Sequence, residues 1–249
     1  MKSWMLGASL GLAMALTGCG GESGGAGGTS GGSAPAAAVP APAGKSWSEV
    51  VSQTPQGGFI MGNPEAPVKL VEFASLTCGA CAAFAAQGFA PLVDNYVNTG
   101  RVSFEMRNFV RDPADLGAAM LSRCSGPAPY FQLVEQLFAA QPEWLGKLQN
   151  LSPAVQQQLQ TAQPGQAVAT LAEQAGLLQF VRVRGVPAER AQACLADQST
   201  LQQLVDGTSI ATRDYQVSGT PTFLINNQVV DGVANWAALE PRLKAAGGG

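Results

Sequence analysis

The chain has 249 residues, 46% hydrophobic and 12% charged, enough for one large domain or two small ones around a sizeable core. Its formal net charge of −3 offers no basic face for nucleic acid. There is no histidine, which excludes Ser-His and Cys-His catalysis and removes the commonest metal ligand. Chemistry is left to cysteine, carboxylate, lysine or tyrosine.

In chain order, Lys2 supplies a positive start and Met5 to Leu16 a short apolar run, the pattern of an export signal over 1–18. The run falls short of the roughly 20 apolar residues of a spanning helix. It ends in Leu16-Thr17-Gly18-Cys19, which resembles the lipobox of bacterial lipoproteins, where the cysteine is acylated and becomes the new N-terminus. The resemblance implies lipid on Cys19; ordinary secretory cleavage near Gly18 is the alternative. Export sets Cys78, Cys81, Cys124 and Cys194 in an oxidising compartment, where each is a potential bridge partner. Residues 19–45 are rich in Gly, Ser, Ala and Pro and are expected to form a disordered tether reaching roughly 25–30 Å.

Folded sequence is expected over 46–246. Phe59-Ile60-Met61 reads as a short strand before an Asn63-Pro64 turn, and Val68 to Phe73 as a strand apolar on both faces, as a central strand requires. A helix is predicted from about Gly79 to Val97, stopped at Thr99-Gly100. Val102 to Val110 follows as a strand, with Val102, Phe104 and Met106 alternating. This is a βαβ unit, and two cysteines sit where its first strand turns into its helix. From about Asp112 to Arg213 the apolar spacing is helical. Strands return at Pro221 to Ile225 and Gln228 to Asp231, around Asn226-Asn227, and a helix from Asn235 to Lys244 closes the order. The predicted class is α/β, with βαβ and ββα halves sharing a central mixed sheet and a helical domain inserted at about 113–212.

Cys78 and Cys81 lie one helical turn apart, within the ~4.4–6.8 Å Cα separation a disulfide requires. At a helix N-terminus, free backbone N–H groups and the helix dipole stabilise an anion and lower the thiol pKa. Cys78, at the exposed tip, is the expected attacking thiolate, and Cys81, one turn inward, the resolving thiol. A zinc site would need a second ligand pair, and Cys124 and Cys194 are lone residues, so no metal and no cofactor is expected. A purely structural bridge closing so small a loop would stabilise little. Glu72 lies six residues before Cys78 in an otherwise apolar strand. Buried, its pKa would rise and it could exchange a proton with Cys81; the alternative is a strand-end carboxylate reaching solvent.

Four segments carry a wider resemblance: Gly62-Asn63-Pro64-Glu65-Ala66-Pro67, Val71-Glu72-Phe73-Ala74-Ser75, Thr77-Cys78-Gly79-Ala80-Cys81 and Gly219-Thr220-Pro221-Thr222-Phe223. Together the chain resembles the DsbA family of bacterial periplasmic thioredoxin-fold oxidoreductases. The resemblance implies a thioredoxin fold with a helical insertion and an acid at the position of Glu72. It also implies a cis Thr220-Pro221 bond packed against the cysteine pair, where Thr220 could pair with an extended substrate, and a structural Cys124–Cys194 bridge; two free thiols are the alternative to that bridge.

The implied activity is oxidation of reduced or unfolded exported proteins in the periplasm, with reoxidation by a quinone-linked membrane partner, by a monomer held to the membrane by its lipid. Net reduction or isomerisation is the alternative direction; isomerases commonly carry an N-terminal dimerisation domain, and here only the tether precedes the fold. A non-catalytic, membrane-tethered binding module is the alternative of another class. Where the best-known oxidases of the family place Pro-His between the cysteines, this chain has Gly79-Ala80. A milder oxidant is expected, with the Cys78 pKa in the upper part of the ~3.5–7 range.

Overall fold

The computed structural model of the protein describes residues 37–249; the export signal, Cys19 and the tether up to residue 36 lie outside the described residues. Strands β1 (Val51–Gln53), β2 (Phe59–Gly62), β3 (Val68–Ala74), β4 (Val102–Asn108), β5 (Thr222–Ile225) and β6 (Gln228–Val229) form one sheet in the order β1-β2-β4-β3-β5-β6. Strands β3 and β4 are parallel, from Val68 opposite Val102 to Ala74 opposite Asn108; the other pairings are antiparallel. The sheet is therefore mixed, with β3 between β4 and β5, and the chain has the predicted α/β thioredoxin architecture. The sequence reading passed over β1, a three-residue edge strand too short and too exposed to show a period.

Helix α1 (Gly79–Asn95) makes the crossover from β3 to β4. It stops where the sequence indicates: a short 3-10 turn over Val97–Thr99 leads to Gly100, whose φ of 73° suits a residue without Cβ. Helices α2 (Pro113–Ser122), α3 (Tyr130–Ala139), α4 (Gln141–Leu148), α5 (Pro153–Thr161), α6 (Pro164–Gln174), α7 (Leu177–Arg182), α8 (Ala188–Ala196) and α9 (Gln198–Tyr215) follow without a strand between them, and α10 (Trp236–Ala245) ends the order. Asp112, Ser152 and Asp197 cap α2, α5 and α9 with their side chains, and proline follows the first two at the position where a missing N–H costs nothing.

Side chains alternate across β3, so its two faces can be told apart. Val68, Leu70 and Ala74 join the main core with Phe84 of α1, whereas Val71 and Phe73 join a smaller cluster with Ala211 near the end of α9. Glu72 shares the face of Leu70 and Ala74, looking toward α1. Phe84 packs on Phe223 of β5 with ring centroids 4.7 Å apart and planes tilted by 58°, which fastens α1 to the strand that follows Pro221. Burying a side chain of that size contributes roughly 2–3 kcal/mol.

Two further contacts tie the fold together. Val39 donates its N–H to the Thr99 carbonyl (2.9 Å) and accepts from the Trp47 indole (2.7 Å), and Ala41 packs on the core. Val39 and Ala41, in the stretch that composition assigns to the tether, thus touch the domain; a buried indole needs an acceptor, and low complexity does not reveal which segment supplies it. Cys124, just beyond α2, and Cys194 in α8 form a disulfide with Cα atoms 5.9 Å apart, 70 residues apart in sequence. On the chain-entropy model a loop of that length is worth about 4 kcal/mol. We expect Cys124→Ala with Cys194→Ala to lower stability toward that amount in urea melts while leaving the ionisation of Cys78 in place.

Candidate active site

Strand β3 ends at Ala74 and α1 begins at Gly79, so Ser75–Cys78 is the loop that presents the cysteines. Cys78 is the N-cap residue of α1, in extended conformation, its carbonyl accepting from Ala82 N–H at 3.1 Å. Both cysteines are free thiols. Cys81 is fully buried, as expected of the inward member. Cys78, expected at an exposed tip, is only 7% exposed. The cover is the loop before β5: the Thr220-Pro221 peptide is cis, and the Thr220 carbonyl accepts from the Cys78 thiol at 3.2 Å. The chain thus brings residues 78 and 220 together across 142 positions.

The electrostatics separate the two sulfurs. The Cys81 thiol, donating to Cys78, is the largest influence holding the Cys78 thiol down; the Thr220 hydroxyl and the Cys81 and Ala80 amides add to it, burial opposes, and the pKa falls to about 4. The donation to the Thr220 carbonyl works the other way, because only the protonated thiol can make it. The expectation of a pKa high in the ~3.5–7 range is therefore corrected: donors from α1 and Thr220 hold the thiolate without a histidine. Cys81 moves far upward, first because it donates to Cys78, then through burial and the nearby Glu72 charge.

Glu72 is 3% exposed, and its Oε1 is sealed from solvent with no hydrogen-bond partner. Burial first, and the Cys78 charge second, push its pKa up to about 8, so it carries a proton at neutral pH. The solvent-reaching alternative does not apply, because the alternation of β3 turns this position into the core. Glu72, Cys78, Cys81, Thr220 and Pro221 thus surround one sulfur pair, and Cys124–Cys194 lies apart in the insertion. No group of three or more His, Cys, Asp or Glu placed to hold a metal ion occurs among the described residues.

The insertion supplies residues that sequence reasoning missed. Asp112 caps α2 with one carboxylate oxygen and accepts from the Thr77 hydroxyl (2.9 Å) with the other. Asp115 is buried and accepts from the Leu76 and Arg111 amides at 2.8 and 3.0 Å; burial outweighs these bonds and raises its pKa to about 6. Gln141, at the start of α4, donates to the Leu76 and Cys78 carbonyls at 2.7 and 3.1 Å. Asp112-Pro113 carried a readable helix-start signal, but nothing local marked its second bond, or Asp115 and Gln141 as partners of a loop so far upstream.

The chain is similar to known proteins. A family model described as thioredoxin matches residues 54–245. The crystal structure of a protein-disulfide isomerase from Novosphingobium aromaticivorans is 32% identical, with a TM-score of 0.73 over 78% of this chain and 98% of that one. That of Wolbachia pipientis alpha-DsbA1 shares the fold at 22% identity, with a TM-score of 0.63 over 81% of this chain and 96% of that one. A Rickettsia bellii protein provisionally named a protein-disulfide oxidoreductase is 25% identical over 72% of this chain, and the match spans 60% of that relative's length.

Proposed function

The chain belongs to the thioredoxin family, and from that premise we propose that it is a thiol–disulfide oxidoreductase acting through Cys78 and Cys81. The observation that carries the reading is the asymmetry of the pair: Cys78 caps the start of α1, where donors hold its pKa down, while Cys81 is buried one turn inward and held protonated. In the oxidising direction a substrate thiolate attacks Cys78 Sγ of the protein disulfide, forming a mixed disulfide and expelling Cys81 as a thiolate. Glu72, protonated at neutral pH, is placed to supply the proton that this buried sulfur needs. A second substrate thiolate then attacks the substrate sulfur, so that Cys78 leaves as a thiolate, the substrate gains a disulfide and the protein is reduced. A low leaving-group pKa makes that last step fast.

We place the activity on reduced, unfolded exported proteins, which the backbone beside Pro221 can hold by strand addition with little sequence preference. In this proposal the protein works as a monomer in the bacterial periplasm, Cys19 carries the lipid anchor, and a quinone-linked membrane protein reoxidises the pair. The test is oxidised protein mixed with a reduced, unfolded substrate: two substrate thiols should disappear per protein disulfide. No transfer would end the enzyme reading in favour of a binding module. Isomerisation is the second reading, favoured by the name of the Novosphingobium relative; it predicts faster rescue of a scrambled substrate than oxidation of a reduced one.

A further inference from the structure

The backbone N–H and C=O of Leu76 find no backbone partner in the sheet or in α1. Its N–H goes to Asp115 and its C=O to Gln141, both residues of the insertion. Gln141 is 5% exposed, and the same Nε2 also reaches the Cys78 carbonyl. That carbonyl begins the peptide plane leading into Gly79, and no atom lies within 4 Å of where a Cβ on Gly79 would stand. The Ala80 and Cys81 amides that serve the Cys78 sulfur lie directly downstream of it.

We infer that Gln141 is a positioning residue for the reactive cysteine: by donating to the Leu76 and Cys78 carbonyls, its amide fixes the peptide planes that aim the first amides of α1 at the Cys78 sulfur. The inference rests on the proposal that Cys78 is the nucleophile, and it gives the insertion a share in setting that reactivity. A side-chain amide suits the task because two carbonyls need a donor without charge; a lysine there would add its own field, and an acid would repel both oxygens. Asp115 holds the peptide plane on the other side of the same residue by accepting from the Leu76 N–H.

The experiment is a thiolate titration by ultraviolet absorbance on wild type, Gln141→Met and Gln141→Asn, with thermal melts alongside. Methionine keeps the length and removes the donor; asparagine keeps the donor on a shorter arm. The expected result is a Cys78 midpoint about one pH unit higher in Gln141→Met and a smaller rise in Gln141→Asn. Lower melting temperatures with midpoints unchanged would overturn the inference, since a purely structural role moves stability alone. An ordinary thiol midpoint in the wild type would instead overturn the reading of Cys78 as an activated nucleophile, and the inference with it. Should Gln141→Met fail to fold, Gln141→Asn decides alone by whether its midpoint rises.

Discussion

Replacing Cys78 by serine is expected to bring disulfide transfer down to the uncatalysed rate, and titrating the reduced wild type to give a thiolate midpoint near pH 4. The thiolate is the reacting species, and an ordinary cysteine of pKa ~8.5 is only about 3% ionised at pH 7. Cys78, held at about 4, is ionised almost completely there. The serine hydroxyl cannot ionise in this range, so geometry alone does not rescue the variant. Cys81→Ser cannot form the protein disulfide and so cannot oxidise a reduced substrate, but its Cys78 thiolate still attacks a disulfide-bonded one and, with no resolving thiol, is expected to accumulate the mixed disulfide; the contrast assigns the two roles. The folded pKa lies below the ordinary value, so the thiolate stabilises the reduced protein above the unfolded pKa, and this stabilisation is lost as pH falls through about 4. A stabilised reduced form also moves the couple to the oxidising side, reversing the milder potential that Gly79-Ala80 suggests on composition. Equilibration with glutathione is expected to give a potential above the ~−270 mV of thioredoxin. Retained transfer in Cys78→Ser, or a midpoint above 7, contradicts this account.

Glu72→Gln has the second large effect, and it runs in two directions: the variant is more stable than wild type at pH 8 and slower in exchange. A carboxyl whose pKa rises from 4.5 to about 8 on folding is protonated in the native state while the unfolded chain has released its proton. The penalty is absent below 4.5, grows through the window between the two values, and levels off near 8 at about 5 kcal/mol. In the oxidised protein, which has no Cys78 thiolate, burial alone raises the carboxyl, so stability should fall with rising pH above 4.5 and level off before 8, and Glu72→Gln should flatten the slope. In the reduced protein Cys78 releases a proton on folding where Glu72 takes one up, and the two dependences oppose each other. The loss in turnover is expected toward the lower end of the ~10²–10⁴-fold that a positioned acid contributes. Urea melts of oxidised wild type and variant at pH 5, 6.5 and 8 decide the matter; equal slopes would remove Glu72 from the account.

How far the sequence foretold the molecule depends on the range of each interaction. The strand–helix–strand order around Cys78, the stop at Gly100 and the helical stretch after Asp112 follow from periodicity and punctuation, which are local. The meeting of Cys78 with Thr220 came from the family resemblance, since no spacing within this chain encodes a contact across 142 residues. Gln141 and Asp115 escaped altogether: a glutamine at a helix start and an acid in a first turn have ordinary local explanations. The low pKa of Cys78 is not legible in the side chains of Gly79 and Ala80, because it is set first by the Cys81 thiol and then by backbone amides, whose aim a sequence does not display.

The contact between Val39 and Thr99 fixes where the chain enters the domain. Thr99 lies just before β4, and β4 runs parallel to β3, so this clasp sits at the pole where both strands begin. The cysteines follow the other end of β3, seven residues or about 23 Å away. Whatever pulls on the segment upstream of Val39 is borne by the far pole, and the strain does not pass through the Ser75–Cys78 loop.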